Sequence, residues 1–199
     1  MIVLVRHGTT DQNLRGLLLG RVDPPLAPEG VDQARALGAA LVREGAPARI
    51  VSSPLRRARE TAQAMAATWG MDVDDEPGLI EMDYGEWDER ALVEIPRDVW
   101  REWHADPDFA PPGGESLRDV QQRVSACVAA LAREADERGT IIAVSHVSPI
   151  KAAVVWALGL DERPELAWRL RLDTASVTRI TSGPVGPVVT AFNHRPGDA

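Results

Sequence analysis

The chain has 199 residues, of which 44% are hydrophobic, and this length and composition are typical of a single globular domain. Disorder over the whole chain is excluded, because disordered sequences combine fewer apolar residues with a larger charge imbalance. The formal net charge of −8 opposes nonspecific attraction to nucleic acid and to anionic membranes, so neither is expected as a partner.

The single cysteine, Cys127, excludes an internal disulfide framework and any metal site built from several cysteines. The N-terminal apolar run soon meets Arg6 and His7, and no basic segment precedes it, so no secretory signal is expected. The longest later apolar stretch, 152–158, is far shorter than the ~20 residues of a membrane helix. These features predict a cytoplasmic protein with one domain over residues 1–199.

The N-terminal part of the chain predicts strands that alternate with helices. Ile2–Val5 is an apolar, β-branched run typical of a strand buried on both faces. Apolar residues at helical spacing predict a helix from Pro28 to a stop at Gly45. Arg49–Ser52 predicts a second strand, and Pro54–Thr68 predicts a helix with proline in its first turn.

Residues 69–114 form an irregular, acidic and tryptophan-rich segment. Within it, only a strand near Met71–Asp74 and a short helix around Asp98–His104 are indicated. Regular elements are predicted again after this segment: a helix at Glu115–Glu137, a strand at Thr140–Val144 and a helix at Pro149–Leu158. A closing hairpin is predicted from two strands, Val177–Thr181 and Val188–Phe192. This order predicts an α/β fold, a three-layer α/β/α sandwich with a mostly parallel mixed sheet.

Two histidines, His7 and His146, each follow an apolar strand directly. Parallel sheets place their sites at the carboxyl ends of strands, so the two side chains could share one pocket. Polar partners lie near them in the sequence, namely Arg6 and Asn13 near His7, and Arg56, Arg57 and Arg59 after the second strand. Guanidinium groups and helix N-termini both bind phosphate oxygens, so this set is typical of a phosphate site.

Five blocks occur in order along the chain: Leu4–Thr10 (LVRHGTT), Gly20–Ala34 (GRVDPPLAPEGVDQA), Ser53–Ala62 (SPLRRARETA), Leu79–Trp87 (LIEMDYGEW) and Val144–His146 (VSH). Together they resemble the motifs of the histidine phosphatase superfamily, also called phosphoglycerate-mutase-like proteins. One block alone would be weak support, but the resemblance covers nearly the whole chain.

The resemblance implies a role for each charged residue in these blocks. His7 would be the nucleophile, which fits the reactivity of a neutral imidazole toward phosphorus. Glu81 would give a proton to the leaving oxygen and then activate water. Negative charge on the phosphoryl group would be stabilised by Arg6, Arg57 and His146. The implied substrate-binding set is Arg6, Asn13, Arg57, His146 and Val147, with no metal and no cofactor.

Some positions leave alternatives open or depart from the family pattern. Asp83 is a rival to Glu81 for the role of the acid. Val147 stands where the family usually has glycine, which puts the backbone geometry beside the phosphate in doubt. Ala27 replaces the usual threonine or serine before a helix, which removes a side-chain N-cap worth about 1 kcal/mol.

In this family the segment between the acid and the second histidine sets substrate choice, and here its irregular part is about residues 77–114. It lacks the longer, basic insertion of the mutases, and its sequence PPGGES resembles α-ribazole-phosphate and broad-specificity phosphatases. Two questions stay open at this stage. Arg97 and Arg101 could meet an acidic substrate, and Trp100 and Trp103 could either wall the cleft or pack internally.

The sequence therefore predicts a hydrolase that acts on a small phosphomonoester through a phosphohistidine. The alternatives are a cofactor-dependent phosphoglycerate mutase and a non-catalytic relative that binds phosphorylated ligands. A homodimer is left open. The other two histidines, His104 and His194, match no block and are expected on the surface.

Overall fold

The computed structural model describes residues 1–195, and a six-stranded sheet lies at its centre. The strands are β1 Ile2–Arg6, β2 Arg49–Ser52, β3 Asp74–Asp75, β4 Ile141–Ser145, β5 Val177–Gly183 and β6 Gly186–His194. They lie in the order β3-β2-β4-β1-β5-β6. Strands β1 to β4 pair in parallel, whereas β5 is antiparallel to β1 and β6 is antiparallel to β5. The prediction of a mostly parallel mixed sheet is confirmed.

Helices cover both faces of this sheet. Within the described residues they are α1 Asp11–Leu14, α2 Pro28–Leu41, α3 Arg56–Ala66, α4 Arg97–Ala105, α5 Leu117–Arg138 and α6 Val147–Ala157. Successive strand residues point to opposite faces, so Val3 and Val5 pack under α2 and α3, while Ile2 and Leu4 pack under α5 and α6. The predicted α/β/α layers follow from this alternation.

Two elements differ from the sequence-based prediction. The strand expected at Met71–Asp74 is a two-residue strand at Asp74–Asp75, held by parallel pairing with β2. Helix α1 was not predicted, because a single turn is too short to show helical periodicity. Its N-terminus is fixed by a capping box between Thr10 and Asn13.

The loop after β1 lies directly on the start of α2. A Cβ atom on Gly8 would lie 2.4 Å from the carbonyl oxygen of Gly30, and one on Gly30 would lie 2.1 Å from the carbonyl oxygen of Thr9. Glycine is required at both positions for this close approach. Ala27, at the N-cap of α2, makes no side-chain capping hydrogen bond, as predicted from the sequence.

An aromatic cluster holds α4 against the rest of the molecule. Trp103 is 1% exposed and makes edge-on contacts with Tyr84, Trp87, Trp100 and Trp168. Of the two alternatives for Trp103, internal packing is the observed one. The 3₁₀ helix Pro164–Arg169 supplies Trp168, which no sequence pattern links to α4.

His104, expected on the surface, is half-buried. Its ring stacks at 4.3 Å on both Trp100 and Trp168, and its Nδ1 lies 2.7 Å from the Trp100 carbonyl oxygen. The spacing of four residues along α4 brings His104 over Trp100. His194 is exposed, as expected.

Candidate active site

The two strands that precede the histidines are neighbours in the sheet. Arg6 at the end of β1 pairs with Ser145 at the end of β4, so His7 and His146 leave the same edge of the sheet. The amide N–H of His7 donates to the Ser145 carbonyl oxygen at 3.0 Å. The two imidazole rings lie 5.1 Å apart, centre to centre. The histidines therefore share one pocket.

His7 is 3% exposed and is held in one tautomer. Its Nδ1 lies 2.7 Å from the carbonyl oxygen of Gly8. Because a carbonyl can only accept, Nδ1 carries the hydrogen and the lone pair is on Nε2. Burial, and then the positive charges of Arg57 and Arg6, lower the pKa of His7 well below its ordinary value of 6.5. The ring is neutral at pH 7 and has a free lone pair.

His146 is also buried and has a pKa well below 6.5, because of burial first and then the charges of Arg57, His7 and Arg6. Its Nε2 lies 2.7 Å from the hydroxyl oxygen of Ser53. Sequence reasoning did not single out Ser53, although this serine follows β2, which is the neighbour of β4. That adjacency cannot be read from the order of the strands along the chain.

Arg57 lies in the first turn of α3 and is fully buried. Its guanidinium donates to the carbonyl oxygens of Val22 at 2.9 Å and Gly20 at 2.8 Å, which orient it. The neighbouring arginines of α3 point outward, since Arg56 pairs with Glu60 and Arg59 with Asp75. Of these three arginines, Arg57 lies beside the two histidines.

Arg6 donates through Nη1 to the Leu172 carbonyl oxygen at 2.6 Å. Burial lowers the pKa of Arg6 to about 10, against the opposing effect of Glu81, so the guanidinium remains charged at neutral pH. Three buried nitrogens near the two rings have no hydrogen-bond partner among the described residues, namely Arg6 Nε, Arg57 Nε and His146 Nδ1. Positive charge is thus concentrated where the two strands end.

Glu81 lies in the irregular segment but is buried. Its Oε1 accepts from the amides of Met82 at 2.7 Å and Ser148 at 3.2 Å, and its Oε2 accepts from the amide of Val147 at 3.1 Å. Two of these donors are the first amides of α6, and the N-terminus of a helix favours a negatively charged group such as a carboxylate. Val147 adopts a negative φ, so the valine is accommodated without strain, and its N–H is used by Glu81.

The rival carboxylate, Asp83, has a different environment. Its side chain is 36% exposed, it accepts from the amide of Gly85 at 2.8 Å, and it lies 4.0 Å from Arg21. Asn13 uses its side-chain oxygen to accept from the Thr10 amide at 3.1 Å. Asn13 lines a cleft together with Arg6.

This cleft has a volume of about 420 Å³, and of the proposed catalytic residues only Arg6 lines it, whereas His7, Arg57, Glu81 and His146 do not. Its lining combines two arginines, two carboxylates, polar groups and leucines, namely Arg6, Arg195, Glu29, Asp173, Thr9, Asn13, Gln33, Thr174, Leu14, Leu17 and Leu92. Arg97 and Arg101, considered above as contacts for an acidic substrate, are exposed on α4 and are not part of this lining.

No group of three or more histidine, cysteine, aspartate or glutamate side chains within residues 1–195 is arranged to hold a metal ion. Over the same range, none of the helices combines the length and hydropathy of a membrane-spanning segment.

Comparison with known sequences gives several relatives. Bifunctional protein Rv2228c of Mycobacterium tuberculosis is 36% identical over 186 residues, which are 89% of this chain and 49% of that protein. The chain thus spans about half the length of that relative. Phosphoserine phosphatase 1 of Hydrogenobacter thermophilus is 34% identical, over 90% of this chain and 85% of that protein. A 2,3-bisphosphoglycerate-dependent phosphoglycerate mutase of Beijerinckia indica is also 34% identical, over 87% of each.

Solved structures agree with this fold. The mycobacterial glucosyl-3-phosphoglycerate phosphatase Rv2419c, in complex with VO3, superposes with a TM-score of 0.86 at 30% identity, over 97% of this chain and 98% of the other. The α-ribazole phosphatase of Shigella flexneri superposes with a TM-score of 0.85 at 27% identity, over 98% and 96%. The sequence-family model of the histidine phosphatase superfamily (branch 1) matches residues 2–195. The chain therefore belongs to this family.

Proposed function

We propose that the chain is a metal-independent phosphomonoester hydrolase that acts on a small phosphorylated metabolite through a phosphohistidine on His7. The observation that carries this proposal is the state of His7. It is a neutral imidazole with its Nε2 lone pair free, buried beside the guanidiniums of Arg6 and Arg57. Such a group is a nucleophile in a site that stabilises negative charge on phosphorus.

In the first step, His7 Nε2 forms a bond to phosphorus while the ester P–O bond breaks. The leaving oxygen takes a proton from Glu81, and the charge on the phosphoryl oxygens is stabilised by Arg6, Arg57 and His146. In the second step, the Glu81 carboxylate takes a proton from water, the resulting oxygen attacks phosphorus, and the P–N bond breaks. Inorganic phosphate leaves, and Glu81 is protonated again.

The composition of the cleft favours hydrolysis over mutase chemistry. A mutase must bind the substrate carboxylate with additional cations, whereas this cleft has as many carboxylates, Glu29 and Asp173, as guanidiniums, Arg6 and Arg195. The phosphoserine and α-ribazole phosphatases among the similar proteins support the same choice. A phosphoglycerate mutase is also among the similar proteins, so mutase activity is tested as the alternative.

The nucleophile is tested with a labelled phosphomonoester and a denaturing alkaline quench, under which the P–N bond survives. We expect the wild-type protein to retain label in the presence of excess chelator, and the His7→Ala variant to lose it together with turnover. Arg57→Gln should reduce the rate by on the order of 10²- to 10³-fold, as for loss of one charge-stabilising donor. Label on the His7→Ala protein would assign the nucleophile elsewhere, and a wild type that shows neither label nor phosphate release would favour a non-catalytic relative.

The acid is tested by leaving-group dependence in single-turnover phosphoenzyme formation. An alkoxide leaves poorly without a proton, whereas nitrophenolate needs little help. Glu81→Gln should therefore slow transfer from an alkyl phosphate much more than from nitrophenyl phosphate. Asp83→Asn is the matched control, and leaving-group dependence in that variant alone would transfer the acid role to Asp83.

The reaction class is tested with 3-phosphoglycerate and catalytic bisphosphoglycerate. A hydrolase is expected to release inorganic phosphate, if it turns these compounds over at all. Rapid formation of 2-phosphoglycerate would establish the mutase instead.

A further inference from the structure

Arg123, on α5, contacts the chain segment that carries Glu81. Its Nη1 donates to the carbonyl oxygens of Gly78 at 3.1 Å and Ile80 at 2.7 Å, and its Nη2 donates to the Glu81 carbonyl oxygen at 3.1 Å. We call residues 78–83 the acid-bearing segment. One guanidinium thus binds three of its carbonyl groups.

Glu115 completes this arrangement from the end of the PPGGES sequence. Its carboxylate accepts from Arg123 Nε at 2.9 Å and Nη2 at 3.0 Å, a bidentate pair. The same carboxylate accepts from the Asp83 amide at 2.9 Å, and the Glu115 amide donates to the Asp83 carbonyl oxygen at 2.9 Å. Burial alone would raise the pKa of Glu115, but the hydrogen bonds and charge of Arg123, the Asp83 amide and the charge of Arg21 together hold it below its usual value.

The acid-bearing segment needs such support because most of it has no regular secondary structure. After the short 3₁₀ helix Pro77–Leu79, residues 80–84 belong to no helix or strand. The buried side chains of Leu79 and Met82 anchor it to the core, and the α6 amides orient the Glu81 carboxylate. The main chain of Glu81 itself is held by Arg123.

We propose that Arg123, oriented by Glu115, is a positioning residue that places the Glu81 carboxyl at the leaving oxygen. The inference rests on the proposed role of Glu81 as the acid. Arg123 binds main-chain oxygens and is not suggested to touch substrate. Lysine could keep the charge of Arg123, but its single ammonium group cannot bind three carbonyls and a bidentate carboxylate at once.

The test compares Arg123→Lys with Arg118→Lys, a control on the same helix whose arginine pairs with the exposed Asp108. A displacement of about 1 Å at a catalytic group costs up to about 10²-fold, so we expect Arg123→Lys to slow phosphoenzyme formation from an alkyl phosphate by about 10- to 10²-fold. Formation from nitrophenyl phosphate should change by less than about 3-fold, since that leaving group needs little protonation. Arg118→Lys should behave as wild type with both substrates. Equal slowing of both substrates by Arg123→Lys would overturn the proposal, because general distortion does not distinguish leaving groups.

Glu115→Gln provides a second variant, because it weakens the orientation of Arg123 while keeping its charge, and it should show the same substrate dependence. A double-mutant cycle with Glu81→Gln separates the two proposals. Once the acid is removed, Arg123→Lys should cause no further slowing of the alkyl substrate. If the slowing by Glu81→Gln depends on the leaving group, but the slowing by Arg123→Lys and by Glu115→Gln does not, only the positioning role is disproved. If the slowing by Glu81→Gln does not depend on the leaving group, both the acid role and the positioning role are disproved.

Discussion

His7 and His146 are buried as neutral rings, and this has a consequence for stability. In the unfolded chain each ring takes up a proton near its ordinary pKa of 6.5, whereas burial and the neighbouring arginines lower the pKa of both in the folded protein. Below pH 6.5 the unfolded state therefore binds more protons than the folded state. The stability that the two neutral histidines contribute is fully present above pH 6.5 and is lost as the pH falls toward their pKa values in the folded protein.

We expect the free energy of unfolding to fall between pH 6.5 and 5 by up to about 1.4 kcal/mol per pH unit for each of these histidines. The His7→Asn variant should lose the share of this slope that His7 contributes. Urea denaturation at several pH values in this window gives the measurement. Equal slopes in wild type and His7→Asn would show that His7 is not held neutral by the fold.

Most of the proposed roles at this scale could be assigned from the sequence, because His7, Arg57 and Glu81 lie in recognisable blocks. The supporting contacts could not. Ser53 meets His146 only because β2 lies beside β4. Arg123 reaches the acid-bearing segment across more than forty residues of chain, and no spacing rule indicates that contact.

At the scale of elements, the helices differ in how they begin. Helix α5 starts with a capping box between Ser116 and Asp119, whereas α2 starts at Ala27 without a side-chain cap. Sequence patterns predict such elements well because apolar spacing and terminal residues are local. They predict the irregular segment poorly, since its conformation depends on contacts such as those of Trp103 with Trp168.

Restoring the missing cap should stabilise the protein. We expect Ala27→Thr to be more stable than Ala27→Val by about 1 kcal/mol, because the two side chains have similar shape and only threonine can accept from the first amides of α2. The comparison with valine removes the effect of adding volume at a buried site. Urea denaturation midpoints measure the difference. A valine variant as stable as the threonine variant would mean that the hydroxyl does not cap the helix.

At the scale of the molecule, the sheet brings together groups that are far apart in the chain. His7 follows β1, Arg57 lies at the start of α3, and His146 follows β4. The strand order that makes them neighbours cannot be read from the sequence, because chain order does not specify which strands pair. The position of both histidines at the ends of apolar strands allowed a shared pocket, and the family resemblance added Arg57 and Glu81 to it.

A ligand that binds all these elements at once should stabilise the fold. We expect orthovanadate to raise the unfolding temperature, with a gain of about 2.7 kcal/mol at a concentration 100 times its dissociation constant. Arg57→Gln should weaken this effect strongly, and Arg56→Gln should not, since Arg56 is exposed and paired with Glu60. Thermal unfolding over a vanadate series measures both variants. Equal stabilisation of the two would place the anion away from Arg57.

The hydrogen bond from His7 Nδ1 to the Gly8 carbonyl oxygen also determines the regiochemistry of the proposed intermediate. With Nδ1 occupied by a proton, phosphorus can join the ring only at Nε2, so a single phosphoramidate isomer is expected, which ³¹P NMR of the trapped protein would distinguish from the Nδ1 isomer. The Nδ1 proton takes no part in either transfer. When water releases the phosphate, the imidazole is already in its starting tautomer, and the next turnover needs no rotation of the ring.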